Sequence, residues 1–220
     1  MMRTRVLLAD RHPLVLEGLK RLLTADFDLV GMVSDGRSLL EAAERLMPDV
    51  VLLDISMPLL NGLEAARQLR KSQPDAKVVF LTRHAERSYV TAAFRAGASA
   101  YLLKSSATWE VVFAIQQVVR GRFYVTPLVV KEVIDPILGR RQRLKASPCK
   151  TYAGNLSHRQ REVLQLVAEG HTNKEIAEII SISIKTVEFH KSGLMRKLGL
   201  HSTAELTRYA LSHGFAGEIG

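Results

Sequence analysis

One cysteine, Cys149, is all the thiol chemistry this 220-residue chain carries. That excludes an intrachain disulfide and any metal centre built from several cysteines, and it agrees with a reducing compartment. Long apolar runs are missing too. The opening stretch, MMRTRVLLADRHP, has only four consecutive apolar residues, Val6 to Ala9, before a charge, too few for a secretory signal, and no run approaches a membrane span. A chain with 47% hydrophobic residues and these absences is expected to be globular and cytoplasmic, with room for one large or two ordinary domains.

Charge is present in excess of one sign. The formal net charge is +9, of which +4 falls on residues 1–126, +4 on residues 127–155 and +1 on residues 156–220. The densest positive charge therefore lies between two apolar-rich regions, where Gly, Ser, Pro, Arg140, Arg141, Arg143 and Lys145 read as an exposed tether. A polyanion such as nucleic acid is compatible with this balance, which on its own is weak evidence.

Strand-like apolar runs recur at Val6–Ala9, Leu29–Val33, Val50–Leu53, Val78–Leu81 and Ala100–Leu103, and amphipathic helical patterns fill the intervals. Five β/α repeats predict a parallel sheet with right-handed crossovers, helices on both faces, and a site at the carboxyl ends of the strands. The stretch DVVLLDISMPLLNG, Asp49 to Gly62, makes the point locally. Four apolar residues run straight into Asp54, which is expected to meet solvent at the strand's end, and Pro58 then forces a loop.

The other strand ends are Asp10, Thr82 and Lys104, so two acids, a hydroxyl and an amine converge on one rim. With those residues in place, residues 3–122 resemble the receiver domain of bacterial two-component response regulators, flavodoxin-like in fold. The resemblance implies that Asp54 accepts a phosphoryl group from a sensor histidine kinase. It also implies that Lys104 neutralises the transferred charge, that Thr82 is the switch hydroxyl and that Tyr101 is the aromatic that turns inward with it. Phosphoryl transfer depends mainly on such positioning and electrostatics. Magnesium is the implied cofactor, held by Asp10, Asp54 and the backbone carbonyl of Ser56.

One position departs from that pattern. Receivers carry two adjacent acids after the first strand, and here Asp10 is followed by Arg11. Losing a carboxylate and adding a cation opposes magnesium, which wants oxygen ligands in octahedral array. Arg11 could turn inward to pair with Asp54 or outward to leave a weak metal site. Phosphorylation is expected to be impaired or lost, and the alternative is an orphan regulator that binds DNA independently of phosphate. A phosphatase working through an aspartyl-phosphate would need a second acid where Ser56 stands.

Beyond residue 121 the β/α rhythm stops, and Pro127 can start a short helix through about Leu138. Ser157 with Gln160 and Thr172 with Glu175 then have capping-box spacing at the heads of two apolar-striped helices, and Ser183 can cap a longer one, Ile184 to Leu198, ended by Gly199. A short helix, a tight turn and a longer helix make a helix-turn-helix. On the last helix Val187, Leu194 and Leu198 share one side, and Lys185, Glu188, Phe189, Ser192 and Arg196 the other. An outward Phe beside a carboxylate, a hydroxyl and two cations suits a major groove. Thr186 belongs with this set, Lys191 and Lys197 flank it, and Lys174 is placed for a phosphate.

The segment LSHRQREVLQLVAEGHTNKEIAEIISISIKTVEFHKSGLMRKLG is similar to the DNA-binding domain of the LuxR/GerE type, and the whole chain resembles NarL/FixJ-class regulators. The resemblance implies an α/β receiver over residues 1–124, a linker with a short helix over 125–152, and a small all-α four-helix DNA-binding domain over 153–220. It further implies a transcription regulator rather than an enzyme, a homodimer on double-stranded DNA, and dimer contacts from Leu206 and Leu211 on the helix Thr203–Ser212.

Overall fold

The computed structural model describes residues 3–130, 156–213 and 215. The tether's basic cluster and most of the short helix expected from Pro127 lie outside the described residues; residues 127–130 are helical. Five strand–helix repeats build the front lobe: β1 Arg5–Ala9, α1 Pro13–Leu23, β2 Asp28–Val33, α2 Gly36–Leu46, β3 Val50–Leu53, α3 Gly62–Ser72, β4 Lys77–Thr82, α4 Arg87–Ala96, β5 Ala98–Leu103 and α5 Thr108–Val119. A sixth strand, β6 Tyr124–Val125, was not expected. It is two residues long, pairs Tyr124 with Ala100 and Val125 with Tyr101, and is too short to leave an apolar pattern.

All pairings are parallel, in the order β2-β1-β3-β4-β5-β6. Chain direction across the sheet reverses between β1 and β3, the crevice where open α/β sheets bind ligands. The central strands are buried on both faces, which is why they read as unbroken apolar runs. Leu7, Leu53, Phe80 and Tyr101 point to the face covered by α2, α3 and α4, while Leu8, Leu52, Val79 and Leu102 point to the face under α1 and α5.

The back lobe is helical: α6 His158–Ala168, α7 Asn173–Ile179, α8 Ile184–Leu198 and α9 Thr203–Ser212. Both expected capping boxes form, at Ser157/Gln160 and Thr172/Glu175, and Ser183 accepts the Thr186 N–H as the cap of α8. Val163, Leu166, Ile176, Val187, Leu194 and Leu206 fill its core. Leu206 is completely buried there. It is a core residue and offers no surface to a second copy, whereas Leu211 on the same helix stays 40% exposed.

Candidate functional site

Backbone hydrogen bonds between strands fix the rim. Asp10 N–H donates to Val33 O (3.1 Å), Asp54 N–H to Ala9 O (2.9 Å) and Lys104 N–H to Thr82 O (2.7 Å), so each rim residue is held by its neighbouring strand. Lys104 Nζ lies 2.5 Å from Asp10 Oδ2 and 2.8 Å from Asp54 Oδ2, bridging both carboxylates. Asp54 Oδ1 accepts the Ile55 N–H at 2.7 Å. The structure corrects one expectation here: Asp54 does not meet solvent but lies 3% exposed beneath the Lys104 ammonium. Two buried carboxylates sharing one cation is a high-energy arrangement unless each oxygen has a donor, and here the ammonium, the Ile55 N–H and the His12 N–H supply them.

Thr82 is fully buried and its Oγ1 accepts from His84 N–H at 3.4 Å. Tyr101 already lies inward, fully buried, with its hydroxyl donating to His84 O at 2.7 Å. Burial pushes the Tyr101 hydroxyl far up from its ordinary value, so it stays a donor. His84, which sequence reasoning passed over, joins these parts. Its Nε2 lies 3.0 Å from Ser56 Oγ and its ring stacks on Tyr89 at 4.1 Å. Burial lowers its pKa, with Arg83 and Lys104 adding to the effect against Glu86 and Asp54, which favours the neutral ring.

Arg11 adopts neither pairing with the acids. Its Nε donates to His12 Nε2 at 3.3 Å, His12 Nδ1 lies 2.9 Å from Asp10 Oδ1, and no Arg11 ion pair with Asp10 or Asp54 forms among the described residues. Asp10, His12 and Asp54 bring ligand atoms within 4.8 Å of one another. The Asp10 and Asp54 carboxylates thus lie close enough for one cation to reach both, and any such ion would compete with Lys104 for the same charge.

A second polar cluster joins the lobes, and no pattern in the sequence announced it. Gln165 on α6, fully buried, accepts the Asn61 N–H at 2.7 Å and donates to Met57 O at 2.9 Å. Glu169 accepts from Leu59 N–H at 3.2 Å. Glu64 in the first turn of α3 receives Arg67 (2.9 Å), Arg161 Nε (2.6 Å) and His158 Nδ1. Arg37 reaches Glu162 at 3.1 Å, and Arg159 binds its other oxygen at 2.8 Å. Burial alone would raise the Glu64 pKa, but hydrogen bonds from His158 and Arg161 and the charges of Arg161 and Arg67 bring it down to about 2. Asn61, which caps α3 by accepting the Glu64 N–H, also faces Gln165, a contact invisible in the sequence because the two lie 104 positions apart.

On α8, Lys185, Glu188, Ser192, Arg196 and Lys197 are exposed, as is Lys174 on α7, with Thr186 and Lys191 half-buried. Phe189 is 70% exposed. On the opposite side of α8, Val187 and Leu194 are buried as expected, while Leu198 is half-buried. The face carrying Phe189 is not covered by the front lobe.

Two family models match this chain: the response regulator receiver domain over residues 6–116, and the bacterial regulatory proteins of the luxR family over residues 154–210. The transcriptional regulatory protein MctR of Rhizobium johnstonii is 40% identical over 99% of this chain and 98% of its own. The oxygen regulatory protein NreC of Staphylococcus carnosus is 34% identical over 94% of this chain and 96% of its own. Among solved structures, RcsB of Salmonella typhimurium covers 95% of this chain and 98% of its own at 26% identity and a TM-score of 0.59. An RcsB–DNA complex covers 94% and 97% at 25% identity and a TM-score of 0.58.

Proposed function

Because the chain belongs to the two-component response regulators that join a receiver domain to a LuxR-type DNA-binding domain, we propose that Asp54 is its phosphoacceptor and that α8 reads duplex DNA. The receiver would span residues 1–124, the linker 125–152 and the DNA-binding domain 153–220. One observation carries the reading: the buried Asp54 carboxylate has a lysine ammonium 2.8 Å from the oxygen that would attack phosphorus. Attack forms the Asp54 Oδ–P bond, the donor's bond to phosphorus breaks, and its electrons leave with the donor. Lys104 would follow the developing charge and Thr82 would close over it, beside a Tyr101 that is already turned inward. Asp10, Asp54 and the Ser56 carbonyl would hold magnesium weakly, which when bound neutralises phosphoryl oxygens.

For DNA, Phe189 and Glu188 would face base edges, with Ser192 and Arg196 beside them and Lys174, Lys185, Thr186, Lys191 and Lys197 placed toward phosphates. A homodimer would present two such helices, with Leu211 and not Leu206 at the contact. A sensor histidine kinase would supply the phosphoryl group. The test has two arms. With magnesium and a small phosphodonor, the protein should take up one phosphoryl group, more slowly than Arg11→Asp because the metal site is weak, and Asp54→Asn should abolish the uptake; no labelling would assign this chain to regulators that work without phosphate. In salt-dependent DNA binding, Lys191→Ala should weaken binding to every sequence and reduce the log–log salt slope by about 1. Phe189→Ala should instead change which sequences are preferred.

A further inference from the structure

Helix α8 carries four cations, Lys185, Lys191, Arg196 and Lys197, and one carboxylate, Glu188. Lys185 stands three positions before Glu188 and Lys191 three after it, spacings at which a helical carboxylate and ammonium can meet. Glu188 is nevertheless exposed, and its side chain forms no ion pair or hydrogen bond among the described residues. Its neighbour Phe189 is 70% exposed. The ring of His190 meets Phe189 edge-on at 5.8 Å, and the outer face of the phenyl ring is left to water. Both features are unfavourable on a helix that serves only to grip a duplex. An acid facing a polyanion repels it by the same law that draws the lysines in, and a bare phenyl ring keeps apolar surface in water.

Each feature is offset at one kind of base pair. In the major groove the donors that a carboxylate can accept from are the amino groups of cytosine and adenine, whereas guanine O6 and N7 and thymine O4 are acceptors and repel it. Adenine sets its N7 acceptor beside the amino group, where the second carboxylate oxygen would meet it, so cytosine is the better fit. The apolar group in that groove is the thymine methyl, which a phenyl ring can cover. Consecutive residues on a helix lie about 1.5 Å apart along its axis, so Glu188 and Phe189 reach adjoining base pairs.

We propose that Glu188 and Phe189 make α8 select a half-site in which a C·G pair adjoins a T·A pair, Glu188 accepting from the cytosine amino group and Phe189 covering the thymine methyl. The selection works mainly by exclusion. With guanine or thymine in place of the cytosine, Glu188 faces lone pairs and gains no donor, so the wrong base leaves a desolvated carboxylate unpaired. The surrounding cations attract any sequence, which separates grip from choice. The proposal rests on the reading of α8 as the helix that contacts DNA; the choice of bases rests on these two side chains.

Selection from a duplex pool randomised over one half-site tests it, using the full-length chain with and without magnesium and a small phosphodonor. The enriched half-sites should share a C·G pair beside a T·A pair, and thymine in place of that cytosine should weaken binding about tenfold. Deoxyuracil in place of the thymine removes the methyl and keeps every hydrogen-bonding group. It should weaken binding by the parent about fourfold and leave Phe189→Ala indifferent. Glu188→Gln offers an amide that matches adenine N6 and N7, so the preference at that position should move from cytosine to adenine. Both side chains are exposed, so these variants leave the core intact. Guanine or no preference at the Glu188 position, a cytosine preference that survives Glu188→Gln, or a Phe189→Ala protein that still senses the methyl would each overturn the proposal while leaving α8 as the DNA-contacting helix. A chain that binds no duplex in either state, even at low salt, would remove that reading and the proposal with it.

Discussion

The rim around Asp54 and the seam beneath α6 are both buried clusters of carboxylates and cations, yet they are built in opposite ways. Rim residues come from four strand ends of one sheet, and interstrand hydrogen bonds fix their backbones whatever the side chains do. Seam residues come from the two lobes, and each of their hydrogen bonds uses a side chain on at least one partner, with backbone groups of Met57, Leu59 and Asn61 on the other. The seam also leaves Arg37 Nε buried without a hydrogen-bond partner, a cost a permanent core avoids. The rim therefore sits on a rigid frame, whereas the seam lasts only as long as its side-chain contacts do.

Substitution should separate the two most sharply at Lys104. Lys104→Ala leaves the Asp10 and Asp54 carboxylates buried against each other without their cation. Breaking such a set should lower receiver stability by about 3 kcal/mol, read as an earlier urea midpoint at unchanged slope. Seam substitutions should leave that midpoint in place.

Acid should act on the seam next. Glu64 is held at about 2 in the docked form against an ordinary 4.5. A depressed pKa contributes stability that is present above the ordinary value and lost as pH falls through the docked one. Docking should weaken between about pH 4.5 and 2 as Glu64 loses its ties to Arg67, Arg161 and His158, and an interdomain distance from paired spin labels should lengthen. Glu169 works the other way. Burial raises its pKa against the hydrogen bonds from Gln165 and Leu59 and the charge of His171, so its protonation favours docking. A seam that only tightens on acidification would refute the assignment of Glu64 as its anchor.

The rim has its own chemical test in Arg11. Since its guanidinium bonds to His12 and leaves both acids alone, Arg11→Asp removes a nearby cation and adds an oxygen ligand at the cost of the His12 hydrogen bond and of no ion pair to either acid. Magnesium affinity measured by calorimetry should rise tenfold or more, worth about 1.4 kcal/mol. An unchanged affinity would mean that Lys104 and not position 11 limits the metal.

The same contrast explains what could be read from the residues alone. Each rim residue ends an apolar run, so Asp10, Asp54, Thr82 and Lys104 are each marked by local sequence, and period and caps likewise mark α6, α7 and α8. The seam has no such marker. Glu162 and Gln165 look like the polar side of an amphipathic helix, because nothing local says that this side meets Asn61 and Arg37 more than a hundred positions away. Leu206 was misplaced for a related reason. The resemblance assigns Leu206 to a dimer contact, but packing within the helical core puts it inside. Leu59 is invisible in yet another way, since an ordinary leucine carries no sign that its backbone will be left-handed.

The smallest effect should come from the seam's outer edge. Arg159 and Arg37 bind the two oxygens of the same buried Glu162, at 2.8 and 3.1 Å, but the Arg159 side chain is 44% exposed against 26% for Arg37. Water screens the outer pair, so Arg159→Ala should shift docking by about 0.5 kcal/mol or less. Arg37→Ala removes the inner cation together with its unpaired Nε, which trades a lost ion pair for a relieved orphan. A double-mutant cycle on interdomain docking should therefore give a small coupling between the two arginines, both acting through Glu162. If Arg159→Ala instead undocks the domain as fully as Glu64→Gln, the strength of the seam lies in its solvent-facing charges, and raised salt alone should open it.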